Sequence, residues 1–256
     1  MQLYNLTPIK SLGQNFLIDK NLANKIVNQL DSINNKNVIE IGPGMGALTD
    51  ILLSKNANVF AIDKDTRAVE YLTKKYKNNK NFTILNSDIR TVDLNLLNIK
   101  DLLVIGNIPY NISTDILFWL FDFNNIINKV VLTVQREVAE RLCAKYKTKT
   151  YGITTIATQL YGTPKIMFNI PSSAFYPAPK VTSSVLKIEF NNVYNNINKK
   201  QILSLVKASF SHRRKKINNS IKQYLLNNKV NTVKLNEELN KKKFAIFNKT
   251  CGRINC

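Results

Sequence analysis

The sequence predicts an α/β protein in which helices cover a mostly parallel sheet and a small helical domain follows. Two observations predict this fold. Over the first two-thirds of the chain, short apolar runs alternate with segments whose apolar residues have helical spacing, which is typical of parallel strands joined by helices. After Pro164 this pattern changes, and the polar, Asn-rich stretch 191–198 has the composition of a linker. We therefore expect two domains, residues 1–190 and residues 191–256.

The individual elements follow from the spacing of the apolar residues. Short runs rich in Val, Ile and Leu predict strands at 38–41, 59–62, 82–85, 102–105 and 130–134. Apolar residues three or four positions apart predict helices at 48–52, 69–76, 117–120 and 137–143. Late strands at 165–168 and 181–190 flank a Pro-rich loop. The second domain is expected to contain helices at 202–210 and 217–225.

The net charge of +20 indicates a polyanionic partner. A soluble protein this basic usually binds nucleic acid. Residues 201–256 hold 13 of the 37 Lys and Arg residues but only 2 of the 17 Asp and Glu residues, so the charge is concentrated in the predicted second domain. A solvated Lys- and Asn-rich surface is the alternative interpretation.

Other bulk features narrow the class of protein. No apolar run approaches the ~20 residues of a membrane span, and the segment 1–10 lacks the apolar core of a signal peptide. The three cysteines have no zinc-ligand spacing and fit a reducing compartment. We therefore expect a cytoplasmic monomer that needs no metal and contacts no membrane, with an organellar location as the alternative.

A glycine-rich turn at residues 42–46 lies between the first predicted strand and the helix after it. Glycines allow close approach of a ligand to the backbone, and the start of the helix offers unpaired N–H groups. Asp63 ends the second strand, where dinucleotide-binding folds place an acid that binds ribose hydroxyls. Gly42, Gly44 and Asp63 therefore predict a site for a nicotinamide dinucleotide or for S-adenosylmethionine. A tight turn without a ligand is the alternative.

Asp88 and Ile89 follow the third predicted strand. Polar residues that follow neighbouring parallel strands line one edge of the sheet, where ligands bind in such folds. There the Asp88 carboxylate can accept a hydrogen bond from an adenine amine, and Ile89 can pack on the ring. This favours S-adenosylmethionine in part, although an Asp at such a position is more often a helix cap or turn residue.

The tetrapeptide Asn107-Ile108-Pro109-Tyr110 follows the fourth predicted strand. The lone pair of an aromatic amine is delocalised into its ring, and two acceptors on its N–H groups oppose that delocalisation. The Asn107 side chain supplies one acceptor. The Ile108 carbonyl, held in direction by Pro109, supplies the other, and Tyr110 offers a flat ring for stacking. The loop therefore indicates methylation of an aromatic amine, and an ordinary Asn/Pro turn is the alternative.

Motifs in the same order along the chain resemble one family. The tetrapeptide is similar to the fourth motif of amino-group methyltransferases that act on adenine. Six segments together resemble the KsgA-type dimethyladenosine transferases, namely LGQNFL at 12–17, EIGPG at 40–44, GNIPYNIS at 106–113, QREVAERL at 135–142, YG at 151–152 and SAFYPAPKV at 173–181. Members of this family modify two adjacent adenosines near the 3′ end of small-subunit ribosomal RNA. The resemblance covers residues 9–190 and continues weakly to Lys216.

The resemblance implies a Rossmann-like, S-adenosylmethionine-dependent methyltransferase domain with a defined set of cofactor contacts. Those contacts would come from Asn15, Leu17, Gly42, Gly44, Asp63, Asp88, Ile89 and Asn107. Gly42 would lie beside the methionine part, Asp63 would bind the ribose hydroxyls and Asp88 the adenine amine. Most relatives have Glu in place of Asp63, so the side chain here is shorter.

The resemblance also implies how the target base is held. Asn107 would serve the target amine as well as the cofactor, and Tyr110 and Phe175 would sandwich the base. A base inside a helix cannot reach the methyl group, so the target must be unpaired or flipped out. For Phe175, a core anchor in the Pro-rich loop is the alternative.

The C-terminal region is predicted to bind RNA. Arg213, Arg214, Lys215 and Lys216 form a basic cluster that would face RNA phosphates, whereas a solvated helix terminus is the alternative. Residues 235–256 depart from the family, because relatives have a further acidic and apolar helical segment there. The second domain is thus shortened or divergent, which affects how the protein docks on its substrate.

The leading hypothesis is therefore S-adenosylmethionine-dependent N6,N6-dimethylation of two adjacent adenosines in small-subunit rRNA, on the rRNA or a small-subunit precursor particle during ribosome biogenesis. One alternative is a large-subunit rRNA adenine methyltransferase that confers antibiotic resistance and shares the loop. Another is a noncatalytic RNA-binding assembly or transcription factor on the same fold. A dinucleotide oxidoreductase explains neither the loop nor the charge.

Overall fold

The computed structural model describes residues 7–9, 12–191, 193–194, 197–211 and 224. Its strands are β1 Phe16–Leu17, β2 Asn37–Ile41, β3 Asn58–Asp63, β4 Phe82–Asn86, β5 Leu102–Asn107, β6 Ile127–Gln135, β7 Gly162–Ile170, β8 Phe175–Tyr176 and β9 Ser183–Phe190. Its α-helices are α1 Lys20–Val27, α2 Thr49–Ser54, α3 Thr66–Lys75, α4 Ser113–Asp122, α5 Arg136–Leu142, α6 Ile153–Tyr161 and α7 Lys199–Phe210. Single-turn 3-10 helices lie between several of them.

The main sheet has seven strands in the order β4-β3-β2-β5-β6-β9-β7. The first five strands in this order, β4, β3, β2, β5 and β6, are parallel to one another, whereas β9 is antiparallel to both β6 and β7. The five parallel strands are the five early strands predicted from the apolar runs. This architecture confirms the predicted α/β class.

The central strands have nearly continuous apolar sequences because they are buried on both faces, as is usual for parallel sheets covered by helices. Val38 and Ile39 of β2 are fully buried, and so are Val104 and Ile105 of β5. Burial of apolar side chains at roughly 25 cal/mol per Å² is the main term that stabilises such a core. The loops that follow these strands are thereby mounted on rigid elements.

The order of the strands reverses at β2, which positions the candidate site. The chain moves outward from β2 to β3 and β4, then crosses back to β5 on the other side. Ile41 at the end of β2 lies opposite Gly106 of β5, so the residues that follow both strands are neighbours. Ligands bind at this switch point in open α/β sheets.

The chain divides into two compact units. The first is Met1–Glu140 with Tyr161–Asn191, and the second is Arg141–Leu160 with Asn192–Cys256. The second unit thus groups residues 141–160 with the C-terminal region, whereas the division drawn from the sequence at 190/191 placed them in the first domain. Within it, the Thr155 hydroxyl donates to the Arg141 carbonyl at 2.6 Å.

The helix predicted at 202–210 is α7. The helix predicted at 217–225 and the divergent segment 235–256 lie outside the described residues, apart from Tyr224. Among the helices that the structure describes, none is long and apolar enough to cross a membrane.

Candidate active site

A cavity that opens to solvent lies at the carboxyl ends of β2, β3 and β5. Four segments of the first unit line it: residues 12–17, the glycine turn after β2, residues 63–65 and the loop 107–112. We call residues 12–17 the N-terminal arm. Of the predicted site residues, the cavity brings together Asn15, Leu17, Gly42, Gly44, Asp63, Asn107, Ile108, Pro109 and Tyr110.

Backbone conformation and space both explain the glycines of the turn. Gly42 and Gly44 have φ values of 64° and 55°, in the left-handed region that favours glycine. A Cβ on Gly44 would also lie 2.9 Å from two ring carbons of Phe16. A side chain there would therefore displace the N-terminal arm.

Asp63 links the end of β3 to the glycine turn. Its carboxylate accepts the Gly44 N–H at 3.1 Å and the Asp65 N–H at 2.9 Å. Burial raises the pKa of Asp63 above its ordinary value, although the backbone N–H groups oppose that shift. Each carboxylate oxygen can accept a second hydrogen bond, so the group can still bind a ligand hydroxyl.

The orientation of the Asn107 side chain is set by the N-terminal arm. Asn107 Nδ2 donates to the Asn15 carbonyl at 2.8 Å. Because a carbonyl only accepts, the amide nitrogen faces Asn15 and Oδ1 is left for another partner. In the described part of the chain, neither Asn107 Oδ1 nor the Ile108 carbonyl accepts a hydrogen bond. Two acceptors are thus available at this end of the cavity.

Tyr110 begins a 3-10 turn and is held through its hydroxyl. The Tyr110 hydroxyl and the Ser183 Oγ share a hydrogen bond of 2.5 Å, and Ser183 is fully buried in β9. Burial raises the pKa of Tyr110, so the phenol is neutral near pH 7. The Tyr110 ring lines the cavity, and the hydrogen bond to Ser183 holds its hydroxyl end in place.

Phe175 does not line this cavity. Only 3% of the residue is exposed, and it packs in the core with Leu17, its partner in the β1–β8 pair. The adjacent Tyr176 is 51% exposed, since alternate residues of a strand point to opposite sides. Of the two rings predicted to sandwich the base, the structure therefore brings only Tyr110 to the cavity.

Asp88 and Ile89 also lie off the cavity lining. The Asp88 carboxylate caps its own 3-10 turn and binds Arg90 through Nε at 2.9 Å and a terminal guanidinium nitrogen at 2.6 Å. The Arg90 guanidinium holds the pKa of Asp88 well below its usual range. Lys64, which does line the cavity, approaches Asp88 at 3.3 Å. Asp88 is thus linked to the cavity through Lys64.

A sequence model of the ribosomal RNA adenine dimethylases matches residues 7–254. The chain belongs to this family. It is 41% identical over 213 residues to the ribosomal RNA small subunit methyltransferase A of Mycoplasma mobile, which covers 83% of this chain and 82% of that protein. The resemblance inferred from the ordered motifs is thereby confirmed.

Solved structures related to this dimethylase family show the same fold. The dimethyladenosine transferase from Plasmodium falciparum matches with a TM-score of 0.72 and 28% identity, over 92% of this chain and 82% of that one. The 23S rRNA methyltransferase ErmE matches with a TM-score of 0.67 and 23% identity, over 82% and 84% of the two chains. At that identity the second likeness concerns the fold alone.

Glu40 was not among the predicted site residues of this dimethylase, although it lines the cavity. Glu40 is 1% exposed, and its Oε2 accepts a hydrogen bond from the Thr49 hydroxyl at 2.7 Å. Burial raises the pKa of Glu40 to about 8. The signal in the sequence that could have identified Glu40 is an acidic residue inside an otherwise apolar strand, since burying an unpaired charge is energetically costly.

Replacing Glu40 by Gln is expected to change how stability depends on pH. Between about pH 4.5 and 8, the folded protein binds a proton on Glu40 that the unfolded chain has lost. The free energy of unfolding therefore falls as the pH rises across this window, by at most roughly 1.4 kcal/mol per pH unit. Glu40→Gln keeps an acceptor for Thr49, so we expect a flatter profile and higher stability than wild type above pH 8.

Urea unfolding from pH 5 to pH 9 measures this effect. Glu70→Gln, on an exposed position of α3, is the matched control and should follow wild type. A Glu40→Gln profile as steep as that of wild type would contradict the assignment.

The remaining predictions fall elsewhere. The basic cluster Arg213, Arg214, Lys215 and Lys216 lies outside the described residues. Within the described ranges, no group of three or more His, Cys, Asp or Glu side chains could hold a metal ion. Gln14 and Asp65, which sequence reasoning also left out, line the cavity and are bonded to each other.

Proposed function

We propose that this chain uses S-adenosylmethionine to dimethylate N6 of two adjacent adenosines near the 3′ end of small-subunit ribosomal RNA. The observation that carries this proposal is the Asn107 amide, whose nitrogen is bound by Asn15 so that Oδ1 is left as an acceptor. Membership of the adenine dimethylase family supports an rRNA adenine as the substrate. The related small-subunit enzyme supports the choice of subunit.

The residues of the cavity fit S-adenosylmethionine. A Cβ on Gly42 would lie 3.9 Å from its nearest neighbour, the Asn107 carbonyl oxygen, so a ligand can approach the backbone of the turn there. Asp63 is proposed to bind the ribose hydroxyls, and the Glu40 carboxyl lines the same cavity. Asn15 and Leu17 contribute from the N-terminal arm. When bound, the cofactor supplies an electrophilic methyl group on a sulfonium.

Asp88 and Ile89 are proposed for the adenine end of the cofactor. The Asp88 carboxylate already accepts three hydrogen bonds from Arg90 and one from Lys64 Nζ at 3.3 Å, so an adenine amine would take the place of the more distant Lys64. An adenine amine would therefore share this carboxylate with Arg90. The displaced Lys64 side chain would lie beside it.

Asn107 and Ile108 are proposed to activate the target amine. Asn107 Oδ1 and the Ile108 carbonyl accept its two N–H groups, which opposes delocalisation of the nitrogen lone pair. The same two oxygens stabilise the positive charge that develops on the nitrogen as it gains a methyl group. That nitrogen then releases a proton readily, so a strong base is not needed. Holding the amine at contact distance and in line provides most of the rate increase.

The target base is proposed to stack on Tyr110. Stacking on an aromatic face contributes roughly 1–3 kcal/mol per base, and the bond to Ser183 keeps the ring in one place. Phe175 as the second face of the sandwich stays a prediction. It requires the ring to leave the core in which it is packed.

The basic cluster at residues 213–216 is proposed to bind RNA phosphates. Replacing all four residues by Gln should weaken RNA binding and reduce the slope of log K against log salt, because each phosphate contact contributes roughly 0.7–0.9 to that slope. Filter binding at several salt concentrations measures the effect. A variant with Lys20, Lys36, Lys77 and Lys80 changed to Gln removes the same charge from exposed positions. Equal slopes in the two variants would refute the assignment.

Incubation with labelled S-adenosylmethionine and separated ribosomal subunits tests the function itself. We expect label in two adjacent adenosines of the small-subunit rRNA, located by mapping the modified bases. Label in the large subunit alone would favour the resistance methyltransferase, and label in neither would favour a noncatalytic assembly factor. Action as a monomer on a small-subunit particle, in the cytoplasm where such particles are assembled, is part of the same proposal.

A further inference from the structure

The N-terminal arm is tied to the rest of the first unit at both ends. At one end, Gln14 Nε2 donates to Asp65 Oδ2 at 2.8 Å, while Gln14 Oε1 accepts the Ile9 N–H at 2.8 Å. At the other end, β1 pairs with β8. Both polar atoms of the Gln14 side chain are therefore used to hold the arm in place.

Asp65 is a rigid anchor for Gln14. Asp65 is 5% exposed, and its carboxylate caps α3 by accepting a hydrogen bond from the Arg67 N–H. The Arg67 guanidinium also binds both carboxylate oxygens, at 2.9 Å and 2.6 Å, and donates to the Thr7 carbonyl at 3.1 Å. Arg67 holds the pKa of Asp65 below its ordinary value, so the anchor is a carboxylate that only accepts.

The residue after Gln14 sets the orientation of Asn107. The Asn15 carbonyl accepts from Asn107 Nδ2 at 2.8 Å, and the Asn15 side chain donates to the Gly13 carbonyl at 3.2 Å. If the Asn15 carbonyl moved away, the Asn107 amide could rotate by 180° and present its NH₂ group. The Asn107 NH₂ group would then face the N–H groups of the target amine, and a donor opposite a donor cannot activate that amine.

We propose that Gln14 is a positioning residue for Asn107: by bonding Asp65 it holds the Asn15 carbonyl where it keeps Asn107 Oδ1 turned toward the target amine. The inference deepens the proposed function and rests on it. It differs from a role in cofactor binding, because its effect is on the orientation of an acceptor. The expected defect therefore lies in turnover at saturating cofactor.

Three variants test this role. Gln14→Leu removes both hydrogen bonds at similar volume and should lower kcat about tenfold or more at saturating S-adenosylmethionine, since misplaced groups react slowly. Gln14→Glu places a second carboxylate against Asp65 and should be at least as slow. Adding Asp65→Asn to Gln14→Glu lets the new amide at position 65 donate to the new carboxylate at position 14 but removes one of the two acceptors of Arg67, so kcat should recover at least threefold without reaching the wild-type value. Gln29→Leu is the matched control and should keep wild-type kcat, because Gln29 is half-buried and its side chain donates to the Lys25 carbonyl away from the cavity.

The side-chain amide resonance of Asn107 in ¹⁵N-labelled protein gives a readout that needs no RNA. We expect it to shift in Gln14→Leu and Gln14→Glu, and to return toward the wild-type position in the double variant Gln14→Glu with Asp65→Asn. Unchanged kcat with only a raised KM for the cofactor, or an unmoved Asn107 resonance, would overturn the proposal. If Gln14→Leu fails to fold, the double variant Gln14→Glu with Asp65→Asn tests the proposal. Failure of that variant to recover kcat and the Asn107 resonance, relative to Gln14→Glu alone, counts against the proposal. If wild type methylates neither subunit, the proposed function fails, while the resonance still tests the link between Gln14 and Asn107.

Discussion

Asn107→Ala is expected to reduce methyl transfer by about 10³-fold or more, to below detection. The substitution removes the acceptor at Oδ1 that opposes delocalisation of the amine lone pair and stabilises the developing charge; loss of one such group typically costs roughly 10²–10³ in rate. It also removes the only described link between loop 107–110 and the Asn15 carbonyl. Transfer of labelled methyl groups to small ribosomal subunits, at saturating cofactor, measures the effect.

The fold and RNA binding should survive this change. Asn107 is only partly buried, and one lost hydrogen bond costs about 1 kcal/mol of stability. Asn78→Ala, at an exposed position off the cavity, is the matched control and should retain full activity. Retained transfer by Asn107→Ala, with an unchanged thermal midpoint, would remove Asn107 from the mechanism.

Tyr110→Ala is expected to lower kcat/KM by roughly 10- to 100-fold. The ring lines the cavity next to Ile108 and Pro109, and loss of one stacking face costs roughly 1–3 kcal/mol per base. Overall affinity for RNA should change little, because phosphate contacts dominate it. Steady-state kinetics on small subunits, together with filter binding, separate the two quantities.

Tyr110→Phe and Ser183→Ala form the control pair for this prediction. Each removes the same hydrogen bond between Tyr110 and Ser183 while an aromatic ring remains. We expect both to keep kcat/KM within a few-fold of wild type, with a loss of about 1 kcal/mol in the free energy of unfolding. If Tyr110→Phe were as slow as Tyr110→Ala, the hydroxyl rather than the stacking face would be the important group.

The strands and the central part of the site could be predicted because local patterns encode them. Leu102–Ile105 is apolar throughout and Val38–Ile41 is apolar apart from Glu40, and such runs are needed where a strand is covered on both faces. Parallel strands end at the same edge, so the residues after them had to meet there. Chain position alone therefore leads one to expect that Gly42, Asp63 and Asn107 meet, and all three line one cavity.

Other features depend on partners that are remote in sequence. The two-residue strands β1 and β8 exist only because they pair with each other, and neither contains enough residues to show a pattern. The burial of Phe175 follows from that pairing, since its side chain points to the core side. The Asp88–Arg90 pair is local, yet the sequence could not show that Asp88 lies off the cavity lining.

Residue identity and short-range spacing are enough to indicate the family, the α/β class and the loop Asn107-Ile108-Pro109-Tyr110. Long-range packing sets which way the Asn107 amide faces, brings Tyr110 rather than Phe175 to the cavity and fixes Gln14 to Asp65. The two hydrogen bonds join residues 51 and 92 positions apart, and Phe175 is buried beside Leu17, which lies still farther away along the chain. Hydrogen-bond direction and burial exist only once such segments have packed together.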